Sequence, residues 1–373
     1  MTDFEKKGVA CMKKTAIIFG CIIIAIALAF GGHTVYLIIT APEIGLRDQT
    51  GDSVYWSESI NIMLTRPENW KRIVENPGIN WDDMRIIDGS TATVPITAEL
   101  FRQFFDCDDY YLEGAFYHST THSAYINLIG YGYEYEREHE YEDSENEYSD
   151  EYEYYFDEPS SRLIFVTPPS DEEIRYAGLA GVELDMDPIA KDGFVFITHK
   201  DNPVDSLSVE QIQDIYSGKI ANWKDVGGDD LDIKAYQREE NSGSQTAMEQ
   251  LVMQGKEMIP PIETMVIEFM GGLVEAVAEY KNGPSSIGYT YYYYINNLYK
   301  NDNIKVLKID GIEPANDKLA SGEYPFSTNY YAVMRGDEPE GSPARLLRDF
   351  LISPLGQDVI EMAGYCKAGG LDE

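Results

Sequence analysis

The chain has 373 residues, with 29 Lys and Arg against 65 Asp and Glu and a formal net charge of −36 at pH 7. That length predicts about two domains around a sizeable core. The charge excludes nucleic acid and anionic lipid surfaces as partners, and it confines any anion to a local site where amide dipoles and an arginine outweigh the global field.

In chain order, Lys6, Lys7, Lys13 and Lys14 precede a stretch, residues 15–42, that carries no Asp, Glu, Lys or Arg; its section 16–30 is apolar throughout. The spacing predicts a cytoplasmic tail over 1–14 and a transmembrane anchor over 15–40. The next basic residue is Arg47, so the remainder is expected outside the cytoplasm as a single-pass membrane protein. A cleaved signal peptide, or a lipoprotein signal ending at Cys21, is the alternative. Phe19 is bulky for the latter, and the apolar run continues past Cys21. Cys107 and Cys366 lie outside the anchor, but their pairing is left open by the sequence, and no CxxC spacing suggests zinc.

Residues 41–82 read as a tether holding a short helix over 67–74, ended by Asn76, Pro77 and Gly78. Arg85, Ile86 and Ile87 form a short strand that enters a hydroxyl-rich turn over 88–97, and a helix over 98–105 follows, capped by Thr97. A strand, a small-residue loop and a helix in that order present N–H groups to a ligand. A second hydroxyl-rich loop, 118–123, contains His118 and His122 at a metal-like spacing. No glutamate lies between them as in a zinc protease, so they read as solvated loop histidines without a metal. Residues 131–158 are acidic and rich in tyrosine, which predicts a mobile, solvated insertion.

Further strands are expected over 162–166, 193–198, 286–290 and 325–334. Ser170 caps a helix that begins at Asp171, and Ser208 with Gln211 forms a capping box for a helix that buries Val209, Ile212, Ile215 and Tyr216. Gly271 and Gly272 precede a helix over 273–278; residues 291–294, all tyrosine, read as core and rim packing. Ser342 and Pro343 open a helix with Leu346, Leu347, Phe350 and Leu351 on one face. This alternation predicts an α/β architecture with a largely parallel sheet.

The stretch 237–246 reads as an anion cradle. Ser242 caps a helix with Gln245 as its capping-box partner, Gly243 allows close backbone approach, and Arg238 supplies a fork of donors suited to two oxygens of one anion. No Gly-x-Ser-x-Gly elbow, Walker loop or convincing metal set is present, so neither an enzyme nor a cofactor is expected.

Taken together, these motifs resemble the periplasmic phosphate-binding protein family, the type II solute receptors of phosphate ABC importers. The resemblance covers residues of about 85–373. It is carried by Phe194 to Val204, Ile215 to Trp223, Arg238 to Thr246, and Ser286 to Tyr289. It implies two α/β lobes with a ligand cleft between them: lobe I from 83–190 and 324–373, lobe II from 191–323, closing by hinge motion. By motif it places Thr93 and Val94 in a first binding loop, Thr120 or Thr121 in a second, and Thr167 in a third. Arg238, Ser242, Gly243 and Ser244 form the cradle from the other lobe. It implies phosphate or a related oxyanion as ligand and the permease of an ABC importer as partner. The alternative is a surface or signalling protein that holds a partner through its acidic insertion. Pro168 stands where the best-known members carry an aspartate that accepts the ligand's proton; Asp88 or Asp171 is a candidate substitute. Val94 stands where the family often has an aromatic residue.

Overall fold

The computed structural model describes residues 70–107, 112, 115–134, 153–156, 159–260, 265–267, 270–279 and 283–368. The expected tail, the anchor and most of the tether lie outside these residues, as does the middle of the acidic insertion. Among the described residues no helix is long and apolar enough to cross a membrane.

In chain order, a 3-10 turn (Asp82–Ile86) leads into β1 (Ile87–Gly89), and α1 spans Val94–Phe105 and α2 Thr121–Ile129. Then come β2 (Tyr131–Glu134), β3 (Glu153–Phe156), β4 (Leu163–Val166), α3 (Asp171–Leu179) and β5 (Leu184–His199). The middle of the chain supplies β6 (Ser206–Leu207), α4 (Val209–Tyr216), β7 (Lys234–Ala235), β8 (Gln237–Arg238) and α5 (Gly243–Ala247), which continues as a π-helical turn (Met248–Met253). After β9 (Val266–Ile267), α6 (Met270–Ala278), β10 (Ser286–Tyr291), β11 (Ile304–Val306), β12 (Lys308–Ile309) and α7 (Asn316–Ser321), the chain closes with β13 (Ser327–Arg335), α8 (Pro343–Ile352), α9 (Pro354–Met362) and β14 (Cys366–Lys367).

Two lobes share one strand. The first part of β5 pairs with β13, from Leu184 opposite Arg335 to Gly193 opposite Ser327; its end pairs with β10, from Phe194 opposite Tyr291 to Thr198 opposite Ile287. On the first side β13 passes to β4 and β1; on the second, β10 passes to β7. The sheet is mixed and mostly antiparallel, contrary to the parallel sheet expected. β5 carries the chain from one lobe to the other and β13 starts where it returns, so the two run in opposite directions side by side. Only β1 with β4, and β7 with β10, are parallel within it. Pro188 in β5 cannot donate to a ladder, and the register shifts opposite it, between Tyr330 and Tyr331.

Each lobe has its own core. In the first, α2 and α3 bury Ala124, Tyr125, Leu128, Tyr176 and Ala177 against Ile164 and Val166 of β4. In the second, the rings of Phe194, Phe196, Tyr216 and Tyr289 pack together. Tyr291, Tyr293 and Tyr294 are buried as expected of that run.

Several expectations are revised. The described part of the proposed 67–74 helix is irregular; it is held as a strap, with Trp70 Nε1 donating to Glu99 (2.7 Å) and the Ile73 amide to Gln103 (2.9 Å) on α1. Arg85 and Ile86 lie in the 3-10 turn, so the strand starts at Ile87. Helix α1 begins at Val94, because Pro95 in its first turn needs no partner for a missing N–H; Thr97 lies inside it. Gly271 and Gly272 are inside α6, and Leu346 on α8 is exposed while Leu347 and Leu351 are buried. The ends of the acidic insertion are ordered, since β2 and β3 pair from Tyr131 opposite Phe156 to Glu134 opposite Glu153. The capping box at Ser208 forms as read, and the cap at Ser170 is completed to a capping box by Glu173. Cys107 and Cys366 are not joined to one another.

At the crossing between lobes, Asp192 is buried and accepts from the Gly193 amide (2.7 Å), the Tyr293 amide (3.1 Å) and the Tyr330 hydroxyl (3.2 Å). Burial pushes its carboxyl pKa up to about 7 against those three bonds. The folded chain therefore holds this proton more tightly than the unfolded chain does, so the stabilisation is present at low pH and is lost as pH rises toward 7. In urea titrations, the stability of wild type relative to Asp192→Asn is expected to fall by roughly 2–3 kcal/mol between pH 5 and pH 8. A difference independent of pH would contradict this protonation.

Candidate functional site

The loops at the ends of β1 and β4 and the start of α2 are tied to one another by buried polar groups. The Phe165 carbonyl accepts from the Ser90 amide (3.0 Å) and from the Thr93 hydroxyl (2.7 Å). The His118 ring sits between the loops: Nδ1 lies 2.8 Å from the Ser90 carbonyl and Nε2 3.0 Å from the Thr97 hydroxyl. Donation from Nδ1 and acceptance at Nε2 is the arrangement of a neutral imidazole, and burial holds its pKa below the ordinary value despite nearby Asp88. His118 is thus an internal latch and not the solvated histidine expected. The Asp88 carboxylate accepts from the Gly89 and Ser119 amides (2.6 Å each), the Ser119 hydroxyl (2.6 Å) and the Asn127 amide nitrogen (2.9 Å).

The second loop turns sharply into α2. Thr120 has φ 86°, a backbone conformation that a β-branched side chain adopts only when its surroundings impose it. Such strain places Thr121 at the first position of α2, directed toward the other lobe. Tyr125, one turn on, donates to the Thr167 carbonyl (2.8 Å) and so fixes the third loop against α2.

From the second lobe comes the stretch around α5. Asn241 is left-handed (φ 63°), and Ser242 Oγ accepts from the Gln245 amide (3.3 Å). The reciprocal half of the expected capping box is missing because the Gln245 side chain turns to Tyr289, to the Arg238 amide and to Glu249. A helix start leaves its first amides without helical partners, which here are those of Gly243 and Ser244. Gly243 meets the first lobe directly: a methyl group on its α-carbon would lie 2.5 Å from Thr167 Oγ1 and 2.6 Å from Thr121 Oγ1. Tyr291 donates to the Gly243 carbonyl (3.1 Å), and its hydroxyl lies beside that of Thr167, which makes no well-formed hydrogen bond of its own.

Arg238 is 7% exposed; its Nε donates to the Ile267 carbonyl (2.8 Å) and its amide to the Tyr289 hydroxyl (3.0 Å). Burial lowers the guanidinium pKa, and the neighbouring Tyr289, Glu239, Tyr294 and Tyr291 oppose that shift; an arginine stays charged under such pressure. Burial raises the pKa of both Tyr289 and Tyr291, so these phenols remain protonated donors.

Of the residues singled out in the sequence, Thr121, Thr167 and Gly243 meet in one place, and Arg238 interacts electrostatically with Tyr291, whose hydroxyl bonds the Gly243 carbonyl. Ser244 is buried alongside. Thr93 and Val94 stand one layer back: the Thr93 hydroxyl is bound to the Ser90 carbonyl (2.9 Å) as well as Phe165, the Thr93 amide donates to Ser90 (3.0 Å), and the Val94 amide donates to Thr91. The Thr120 hydroxyl turns to Ser123 (3.4 Å). In sequence Tyr291 shows only as packing, because nothing in a run of four tyrosines distinguishes the one whose hydroxyl bonds the Gly243 carbonyl. No group of acidic, histidine or cysteine side chains able to hold a metal is present among the described residues.

The PBP superfamily domain matches residues 156–353, more than half of the chain, and the chain belongs to that superfamily. Among curated relatives, the phosphate-binding protein PstS of Bacillus subtilis is 28% identical over 177 residues, covering 48% of this chain and 55% of that protein. Its counterpart from Borreliella burgdorferi is 26% identical over 181 residues, covering 47% and 63%. The matches thus span less than two thirds of these relatives. A Clostridium perfringens protein crystallised with bound phosphate superposes with a TM-score of 0.54 at 25% identity, over 76% of this chain and 98% of that one. An ABC-type phosphate transport receptor from Vibrio cholerae superposes with a TM-score of 0.50 at 19% identity, over 76% and 99%, which is a likeness of fold alone.

Proposed function

We propose that this chain is a membrane-anchored, extracytoplasmic solute-binding protein that captures phosphate or a related oxyanion between its lobes and presents it to the permease of an ABC importer. The observation that carries the reading is the meeting of Thr121 and Thr167 of one lobe with Gly243 of the other, with a buried arginine in electrostatic reach of the tyrosine that bonds Gly243. Hydroxyls, two first-turn amides and a guanidinium are donors suited to an oxyanion and to little else. The phosphate-binding relatives and the phosphate-bound neighbour add weight to that choice of ligand.

In this reading lobe I comprises 83–190 and 324–373 and lobe II 191–323, with the hinge where β5 and the chain entering β13 run side by side. Thr121, Thr167, Ser242 and Ser244 donate hydroxyls, Gly243 and Ser244 donate amides, and Arg238 is the charged clamp. Thr93, Val94 and Thr120 shape the first two loops around the ligand. Binding and release proceed without chemical change, and the anchor over 15–40 keeps the cleft at the outer membrane face.

Neither proposed substitute for the missing aspartate is free to serve. Asp88 is committed to four donors in the loop framework, and Asp171 is exposed at the start of α3. A cleft without a carboxylate acceptor has no built-in repulsion against sulfate. Equilibrium binding to the full chain with radiolabelled phosphate, competed by sulfate, tests the reading: saturable one-to-one binding with measurable sulfate competition is expected. Absence of binding by either anion would remove it.

A further inference from the structure

The two lobes also meet beside the cradle, through groups that contribute nothing to holding an anion. Asn241 of the second lobe donates from its side-chain amide to Glu172 on α3 of the first. The left-handed backbone of Asn241 aims that side chain across the cleft, and the next residues in the chain are Ser242 and Gly243. In the π-helical turn that follows α5, Gln250 donates to the Pro169 carbonyl (3.1 Å). Glu172 is held in place by the Tyr176 hydroxyl (2.5 Å) and by Arg175 (3.5 Å). Next to it, Glu173 is buried, with one oxygen taken by the Ser170 amide (2.8 Å) and the other 3.0 Å from Nδ1 of His122. His122 follows Thr121 at the start of α2, and its side chain is about one-third exposed.

We propose that Glu172 and Asn241 form a clasp that holds the lobes shut over the ligand, and that the proton on His122 sets how firmly it holds. The proposal rests on the reading above that the lobes close on an oxyanion. The electrostatics are simple. Closure brings Glu239 of the second lobe toward Glu172 and Glu173, and these three carboxylates are the charged groups that face His122. Their mutual repulsion opposes closure. A proton on His122 offsets it, and adds positive potential one residue from Thr121. The hydrogen bond to Glu173 raises the His122 pKa above its ordinary value, outweighing partial burial, with Glu172 and Glu239 adding to the rise. The clasp is therefore at full strength below the ordinary histidine value of about 6.5 and loosens as pH rises through the raised one. By linkage, ligand binding raises the His122 pKa further.

Two measurements on the full chain test this. In the first, the Kd for radiolabelled inorganic phosphate is compared between wild type, Asn241→Gly, Glu172→Gln and His122→Gln from pH 5.5 to pH 8. Glycine keeps the positive φ, so only the side-chain amide is lost. About tenfold weaker binding is expected for Asn241→Gly across the range, the loss of one hydrogen bond to a charged group. His122→Gln is expected to bind like wild type at pH 8 and to lack its gain on acidification, and Glu172→Gln to retain most affinity with a flattened pH profile. The ligand's own ionisation is common to all variants and cancels in the ratios. Equal Kd values for Asn241→Gly and wild type, or superimposable pH profiles for His122→Gln and wild type, would overturn the clasp.

The second measurement needs no ligand. Spin labels at Lys224 of the second lobe and Asp349 of the first report their separation by electron double resonance. The distance distribution is expected to shift outward in Asn241→Gly, and in wild type between pH 5.5 and pH 8, but to be independent of pH in His122→Gln. A distribution unmoved by any of these changes overturns the clasp even if phosphate binds. A shifted distribution in a chain that binds no oxyanion keeps the clasp and removes the ligand reading instead.

Discussion

Arg238→Ala is expected to weaken phosphate binding by about a hundredfold or more, with little change in thermal stability. Truncating one partner of a desolvated, hydrogen-bonded charge pair costs about 2–5 kcal/mol, and every 1.4 kcal/mol is about tenfold in Kd. The fold depends on this residue mainly through its backbone: the amide bonds to Tyr289 and Gln245 survive the substitution, and only the Nε bond to Ile267 is lost among those described. The negative chain, at −36, makes the effect larger, because Arg238 is the one positive group proposed to touch the ligand against the global field. Arg238→Lys retains the charge without the planar fork and is expected to recover only part of the loss. Titration calorimetry reads the affinities and circular dichroism the melting. An Arg238→Ala chain that melts like wild type and binds phosphate equally well would remove the clamp from the account.

Gly243→Ala separates binding from folding in the opposite sense. Alanine is the better helix former by about 1 kcal/mol, and Gly243 opens α5 with no positive φ to prevent the exchange. The added methyl, however, lands 2.5 Å from Thr167 Oγ1 and 2.6 Å from Thr121 Oγ1, both on the facing lobe. The lobes are then held apart at the point where donors from both must reach one small anion. A melting temperature equal to or above that of wild type is expected, together with a loss of phosphate affinity of about a hundredfold, judged from the reach of a hydrogen bond, which is gone beyond roughly 3.5 Å. Unaltered affinity would mean that the ligand sits elsewhere.

These sites differ in how openly the sequence displays them. The Ser-Gly-Ser stretch with an upstream arginine, the cap at Ser170 and the capping box at Ser208 are local devices whose partners lie within a few residues, so pattern alone locates them. Strand β5 is different. Only 193–198 carries an apolar signature, whereas 184–192 contains Asp185, Asp187, Pro188, Lys191 and Asp192 and becomes strand because β13 pairs with it. Pairing between segments some 140 positions apart leaves no local trace, which is also why a parallel sheet was expected. His118 and Asp88 look like free functional groups in sequence. Burial turns both into internal fasteners, one neutral between two loops and one saturated with donors. Tyr291, Asn241 and Glu172 acquire their roles only when the lobes come together. Helix α1 begins four residues before its expected start at 98 because a first helical turn accommodates Pro95 well.

The central claim is that one oxyanion is held jointly by both lobes at the meeting of Thr121, Thr167 and Gly243 with Arg238. A crystal structure of the protein grown in phosphate tests it most directly. The account predicts a tetrahedral anion within hydrogen-bonding distance of the Thr121 and Thr167 hydroxyls, the Gly243 and Ser244 amides and the Arg238 guanidinium. An empty cleft with phosphate bound elsewhere, or an anion touching residues of a single lobe, would contradict it.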